Sequence, residues 1–153
     1  MENIQTVTWQ QNGYTLSTDS QRIDRQVVFE YLSKESYWAQ NIPMQTVQRS
    51  LDHSLCFGVF DAEGNMVGFA RVVSDFAVFA HLMDVFILPA HRGQGLGIWL
   101  VQCVLAHPAL QNLRLWSLKT RDAHELYRRY GFNAPKQPEK IMERVLENPY
   151  PPA

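Results

Sequence analysis

Apolar and polar positions change their period several times along the chain, and each change marks an element. Tyr14–Ser17 alternates as a first strand, and Thr18, Asp19 and Ser20 break it. Val28, Phe29 and Leu32 fall at helical spacing, which predicts a helix over residues 25–39. Pro43 opens a short second helix with Val47 and Leu51 four apart. Leu55–Phe60 and residues 66–73 predict strands, joined by a hairpin turn over residues 61–65. Residues 81–88 predict a central strand ended by Pro89, and residues 98–106 an apolar helix closed by Pro108. A strand over residues 113–119 precedes a helix over residues 122–130. In that helix Asp122 and Glu125 have capping-box spacing, and Gly131 is the stop. Residues 141–146 predict a last strand before a proline-rich tail that begins near residue 148. Strands before and after helices, with one long hairpin, imply an α/β fold: a mixed sheet with helices on both faces.

The junction after the central strand carries the chemistry. Arg92, Gly93, Gln94, Gly95, Leu96 and Gly97 lie between a strand and a helix start. That placement offers backbone N–H groups to an anion at the positive end of a helix. Glycines let the backbone approach phosphates that a side chain would hold off. The loop therefore predicts a phosphorylated cofactor. A dinucleotide fingerprint needs G-x-G-x-x-G and a later acid for the ribose. Here the spacing is G-x-G-x-G, and no Asp or Glu occurs from Val85 through Arg121. A phosphate-cradling G-x-x-x-x-G-K-[ST] run is also missing. The acid-free stretch contains Arg92, Arg114, Lys119 and Arg121; it is +4 within a chain of net charge −1, so the remainder is −5. A local positive region in a mildly acidic protein suits an anionic ligand.

Arg-x-x-Gly-x-Gly after Val85, Phe86 and Ile87 resembles the acyl-CoA-binding motif of the GNAT superfamily of N-acetyltransferases. A second segment, from Ala123 through Leu126 and Tyr127 to Gly131 and Phe132, is similar to that family's Ala-x-x-Leu-Tyr-x-x-x-Gly-Phe. Thr120 stands where many members have Asn. The order and separation of the two motifs match as well.

The resemblance implies the GNAT fold, with the central strand and its successor splayed apart for acetyl-CoA, the co-substrate. The pantetheine arm is expected along the free edge of Val85, Phe86 and Ile87. The diphosphate is expected on the amides of Arg92 to Gly97, with Thr120 nearby. Side-chain changes at Gln94 or Leu96 should then be mild, and Gly95→Val severe.

Acyl transfer to an amine needs a base for the ammonium, stabilisation of a developing oxyanion and a proton for the leaving thiolate. Spacing alone makes Tyr127 a core residue beside Ala123, Leu126 and Tyr130. The resemblance makes it the general acid. His81, early on the central strand, is the candidate base, since imidazole titrates near neutrality. Asp84 is its rival, and alternation puts it on the opposite face of the strand. Tyr37 and Trp38 read equally as an acceptor-site lining or as loose core packing. His53, His91, His107 and His124 lack metal-ligand spacing, so no metal is expected.

At 153 residues, with 46% hydrophobic and 19% charged, the chain reads as one domain over residues 1–153. It has no apolar run of membrane-spanning length, its start is not a secretory signal, and Cys56 and Cys103 form no C-x-x-C pair. A cytoplasmic protein follows, with no membrane and no nucleic-acid partner. The function read here is acetyl transfer from acetyl-CoA to a primary amine, small-molecule or protein. A non-catalytic CoA-binding sensor or interaction module is the alternative. Dimers are common in similar proteins, which leaves a homodimer open.

Overall fold

The computed structural model describes residues 3–152. Six strands form one sheet in sequence order: β1 Thr8–Gln11, β2 Tyr14–Ser17, β3 Leu55–Phe60, β4 Met66–Ser74, β5 Phe79–Ile87 and β6 Leu115–Leu118. Neighbours are antiparallel from β1 to β5, and β5 and β6 are parallel. The α-helices are α1 Arg25–Glu30, α2 Met44–Asp52, α3 Leu96–Ala106 and α4 His124–Arg128. A parallel pair needs a crossover, and α3 supplies it.

Each sheet face has its own core. On one face Phe57, Val59, Val72, Ala80 and Leu82 meet Leu96, Leu100 and Val104 of α3. On the other, Cys56, Phe60, Phe69 and Phe86 meet Val28, Leu32, Val47 and Leu51. The mixed sheet covered on both sides matches the sequence pattern. β1 was not foreseen; its short, mostly exposed sequence has little apolar alternation to betray it.

Two predicted elements differ. The first helix does not run to Ala39. After Glu30 the chain widens into a π-turn over Tyr31–Glu35, and Ser36 is extended (φ −74°, ψ 149°). The Ser36 hydroxyl donates to the Leu32 carbonyl (2.6 Å) while its N–H donates to the Tyr31 carbonyl (2.9 Å), so local bonds replace helix continuation. This turns Tyr37 and Trp38 out of the helix. The other difference is the tail. Residues 141–146 form no strand, and Met142, Val145 and Leu146 are exposed. An apolar run pairs only where an edge is aligned with it.

β5 contains the decisive irregularity. Phe69 pairs with Phe86 and Arg71 with Met83, so three steps along β5 answer two along β4. The extra residue is a β-bulge, with Asp84 in the left-handed region at φ +54°. Ala80 and Leu82 face α3 before the bulge; Val85 and Ile87 lie on that side after it. The bulge thus reverses the strand's parity.

Candidate active site

β5 and β6 pair from Phe79 opposite Leu115 to Leu82 opposite Leu118, and then part. Among the described residues, residues 83–87 of β5 therefore have no partner strand on that side. The Leu88 N–H donates to the Val67 carbonyl (2.8 Å), toward β4, so strand alternation turns the Ile87 backbone groups to the opening. The Ile87 carbonyl is already used: Arg92 Nε donates to it (2.9 Å), and Arg92 Nη2 donates to the Tyr31 hydroxyl (3.1 Å). Of the expected edge, Val85 keeps its backbone clear of such a bond.

Beyond a 3₁₀ turn at Pro89–His91, Gly93 (φ +79°) and Gly95 (φ +78°) take left-handed conformations and lead into α3. No acceptor within the described residues takes the backbone N–H groups of residues 93–98. This run of six free donors lies at the positive end of a helix dipole. At Gly97, whose φ is not positive, an added Cβ would meet nothing within 4 Å. The glycines therefore open onto empty space rather than onto packed protein. Gln94 and Leu96 differ from each other. Gln94 Oε1 accepts from the Tyr14 hydroxyl (3.3 Å), whereas the Leu96 side chain is core, 5% exposed. A change at Leu96 therefore carries a packing cost that one at Gln94 does not.

Two cavities meet in the opening. One, of about 660 Å³, extends from Gly93, Gly95 and Gly97 past Ile87 to Tyr127. The second, of about 560 Å³, runs from Tyr127 past His81 to Lys119 and Thr120. Tyr37, Trp38, Val85, Arg121 and Tyr127 wall both. Another cavity, beside Arg25, Asp52 and Cys56, holds none of the predicted site residues.

Tyr127 is 7% exposed and sits at the junction. Gly131 (φ +87°) reverses the chain after α4, so the Phe132 N–H donates to the Tyr127 carbonyl (3.2 Å) and the two rings meet edge to face. Burial, with a further push from Tyr37, raises the Tyr127 hydroxyl to about 12. No hydrogen bond occupies that hydroxyl within the described residues. Thr120 Oγ1 accepts from the Ala123 N–H (3.0 Å), the local bond that starts α4. The expected Asp122 cap is not formed; its carboxylate is 3.5 Å from Arg121 Nη2.

His81 lines the second cavity, with Nδ1 2.6 Å from Ser117 Oγ on β6. Burial, then the cations of Lys119 and Arg71, lower its pKa below the ordinary 6.5. Asp84 lines the same cavity, contrary to the alternation argument. Arg71 opposes Met83, and Val73 opposes His81, so these share one face; Asp84 joins them by bonding Arg71. Its oxygens are occupied, Oδ2 by Arg71 Nε (2.8 Å) and Oδ1 by Trp38 Nε1 (2.8 Å). A carboxylate so engaged is a poor proton acceptor.

Arg71, Trp38, Tyr31 and Ser117 are the site residues that sequence reasoning missed or left undecided. One signal was available for Arg71: it is a lone cation inside an apolar strand. Among the four cations of the acid-free stretch, Arg92, Lys119 and Arg121 reach the cavities, whereas Arg114 is exposed elsewhere. Burial raises the Cys56 and Cys103 thiols to about 12 and about 11, which keeps both protonated. No helix is long and apolar enough to cross a membrane, and no cluster of metal-ligand side chains occurs among the described residues.

The family model described as Acetyltransferase (GNAT) domain matches residues 52–134, from the end of α2 past the Tyr127 segment. The chain belongs to the GNAT family of acetyltransferases. A GNAT-family protein of Xanthomonas campestris pv. campestris, solved as a crystal structure, is 50% identical, with a TM-score of 0.87 over 90% of this chain and 96% of that one. A relative from Gibberella zeae that bears an acetyltransferase name is 30% identical over 140 residues, 78% of each chain. A Deinococcus radiodurans structure is 19% identical with a TM-score of 0.68 and shares the fold. The co-substrate of GNAT enzymes is acetyl-CoA. An amide run whose three glycines face open space, opening into a cleft between parted strands, has the donor chemistry for its diphosphate.

Proposed function

We propose that this acetyltransferase moves the acetyl group of acetyl-CoA to a primary amine by direct attack. The observation that carries this reading is the convergence of the two cavities on Tyr127, one lined by the glycine loop and the other by His81. The amides of residues 93–98 hold the diphosphate, and Val85 offers the backbone edge to the pantetheine arm. Acetyl-CoA supplies an activated thioester.

His81 accepts a proton from the incoming ammonium, directly or through water, while Ser117 fixes its Nδ1. The nitrogen lone pair then forms the new N–C bond as the C–S bond breaks. Tyr127, which burial keeps protonated, gives its proton to the departing thiolate, and the second proton of the new amide nitrogen returns through water to the Tyr127 oxygen. Arg71 and Trp38 hold Asp84, which shapes the bulge and takes no proton.

Calorimetry with acetyl-CoA, followed by CoA release over a panel of amines, tests the proposal. Binding with amine-dependent release is expected. Absence of heat with any coenzyme A species would overturn it.

A further inference from the structure

The acceptor end of the cleft is aromatic, and the polar atoms of its two exposed rings are already bonded. Tyr37 and Trp38 are 44% and 41% exposed, and their rings meet edge to face with centroids 5.0 Å apart. Trp38 Nε1 donates to Asp84, and the Tyr37 hydroxyl accepts from the Arg121 N–H (3.1 Å). The Arg121 guanidinium covers the Tyr37 ring at 3.8 Å. What remains for an incoming molecule is mainly the Trp38 ring surface. Aromatic faces left exposed in a recess, with their hydrogen-bonding atoms spent, favour a flat apolar partner.

Among the described residues, the charges on the His81 side of this recess are paired, whereas Glu35, exposed on the glycine-loop side, is in no ion pair. Arg71 holds Asp84, Arg121 lies against Asp122, and Lys119 pairs with Glu143. A polyamine needs a spare carboxylate for its second cation, and Glu35 lies on the glycine-loop side of the cleft rather than on the His81 side. A phosphorylated amino sugar needs spare cations, and its hydroxyls would face Leu82, Met83, Val85 and Leu118. Beyond His81 the surface stays apolar: Phe79 stacks on the imidazole (centroids 6.4 Å, 11° between planes), and Val73 lies opposite His81 on β4. About 560 Å³ suits a small molecule.

We infer that the acceptor is an arylalkylamine, a primary amine on an uncharged aromatic body. Its ring lies on Trp38 and its nitrogen points to His81. This rests on the acetyl-transfer reading and names the substrate class for the same site.

The test measures CoA release with phenethylamine, tryptamine, spermidine, glucosamine 6-phosphate and a peptide with an apolar N-terminus, on the full chain and on Trp38→Ala and Trp38→Phe. Acetyl-CoA affinity is measured in parallel by calorimetry. The arylalkylamines should be preferred by about tenfold or more in kcat/KM, the scale of one well-placed apolar contact. Trp38→Ala should raise their KM about tenfold beyond any change in acetyl-CoA affinity; Trp38→Phe, which retains an aromatic face, should restore most of the loss. Preference for spermidine, the sugar phosphate or the peptide overturns the inference and leaves the acetyl-transfer reading standing. An unchanged arylalkylamine KM in Trp38→Ala does the same. No coenzyme A binding, or no release with any amine, removes both.

Discussion

Arg71 and Asp84 face each other across the bulge in β5, with Nε 2.8 Å from Oδ2 and side chains only 11% and 7% exposed. Arg71 also donates to Ser54 Oγ (3.0 Å), so one guanidinium ties β4, β5 and the end of α2 together. Breaking a buried pair by removing one partner costs about 3–5 kcal/mol, because the other charge stays buried without compensation. Asp84→Asn keeps a side chain tolerant of φ +54° but removes the anion. It should lower stability by about that amount in urea unfolding. Arg71→Met added to Asp84→Asn should recover part of the loss. A fully stable Asp84→Asn with abolished turnover would instead mark Asp84 as a proton acceptor.

The glycine loop separates folding from binding. Gly95 stands at φ +78°, so Gly95→Val strains the backbone by about 1–2 kcal/mol whatever the ligand does. Gly97→Ala is the cleaner variant. It lies within α3, its Cβ meets nothing, and helix propensity favours Ala by up to about 1 kcal/mol. Thermal unfolding should show Gly97→Ala as stable as the parent or more so. Calorimetry should show acetyl-CoA affinity reduced about tenfold or more, because the methyl occupies the phosphate approach. Wild-type affinity in this variant would move the diphosphate elsewhere.

Leu96, two residues from Gln94, belongs to the core. Leu96→Ala should cost about 2–5 kcal/mol, whereas Gln94→Ala should stay within about 0.5 kcal/mol. Denaturant midpoints distinguish the two.

Tyr127→Phe removes a hydroxyl that bonds nothing among the described residues while keeping the ring against Phe132. Stability and acetyl-CoA affinity should hold. Loss of a positioned general acid is worth about 10²-fold or more in kcat. Unchanged turnover would return Tyr127 to a packing role.

His81 sets a pH signature. Its pKa lies below the ordinary 6.5, so the imidazole is neutral and able to accept a proton at pH 7. The acid limb of kcat/KM should therefore fall below pH 6.5. Lys119→Met removes a cation that disfavours imidazolium and should move the limb upward; His81→Ala should abolish it. The same shift acts on folding. Because the folded state resists protonation, His81 costs stability as pH drops below 6.5 toward its folded pKa. An acid limb untouched in His81→Ala would assign the base to another group or to water.

The sequence by itself determined the local pieces: the hairpin, the glycine turn between strand and helix, and Tyr127 followed by the Gly131 reversal. Each depends on residues close in the chain, where glycine φ, proline and apolar period act directly. Only the tertiary structure decided which groups share the cleft. A bulge is a mismatch between two strands, so β5 alone cannot reveal that Asp84 joins the face of His81. Ser36 ends a helix whose apolar spacing ran on, and that moves Tyr37 and Trp38 into the recess. Residues 141–146 carry a strand's composition without a strand's pairing, because hydrogen-bond partners in a sheet come from elsewhere in the chain.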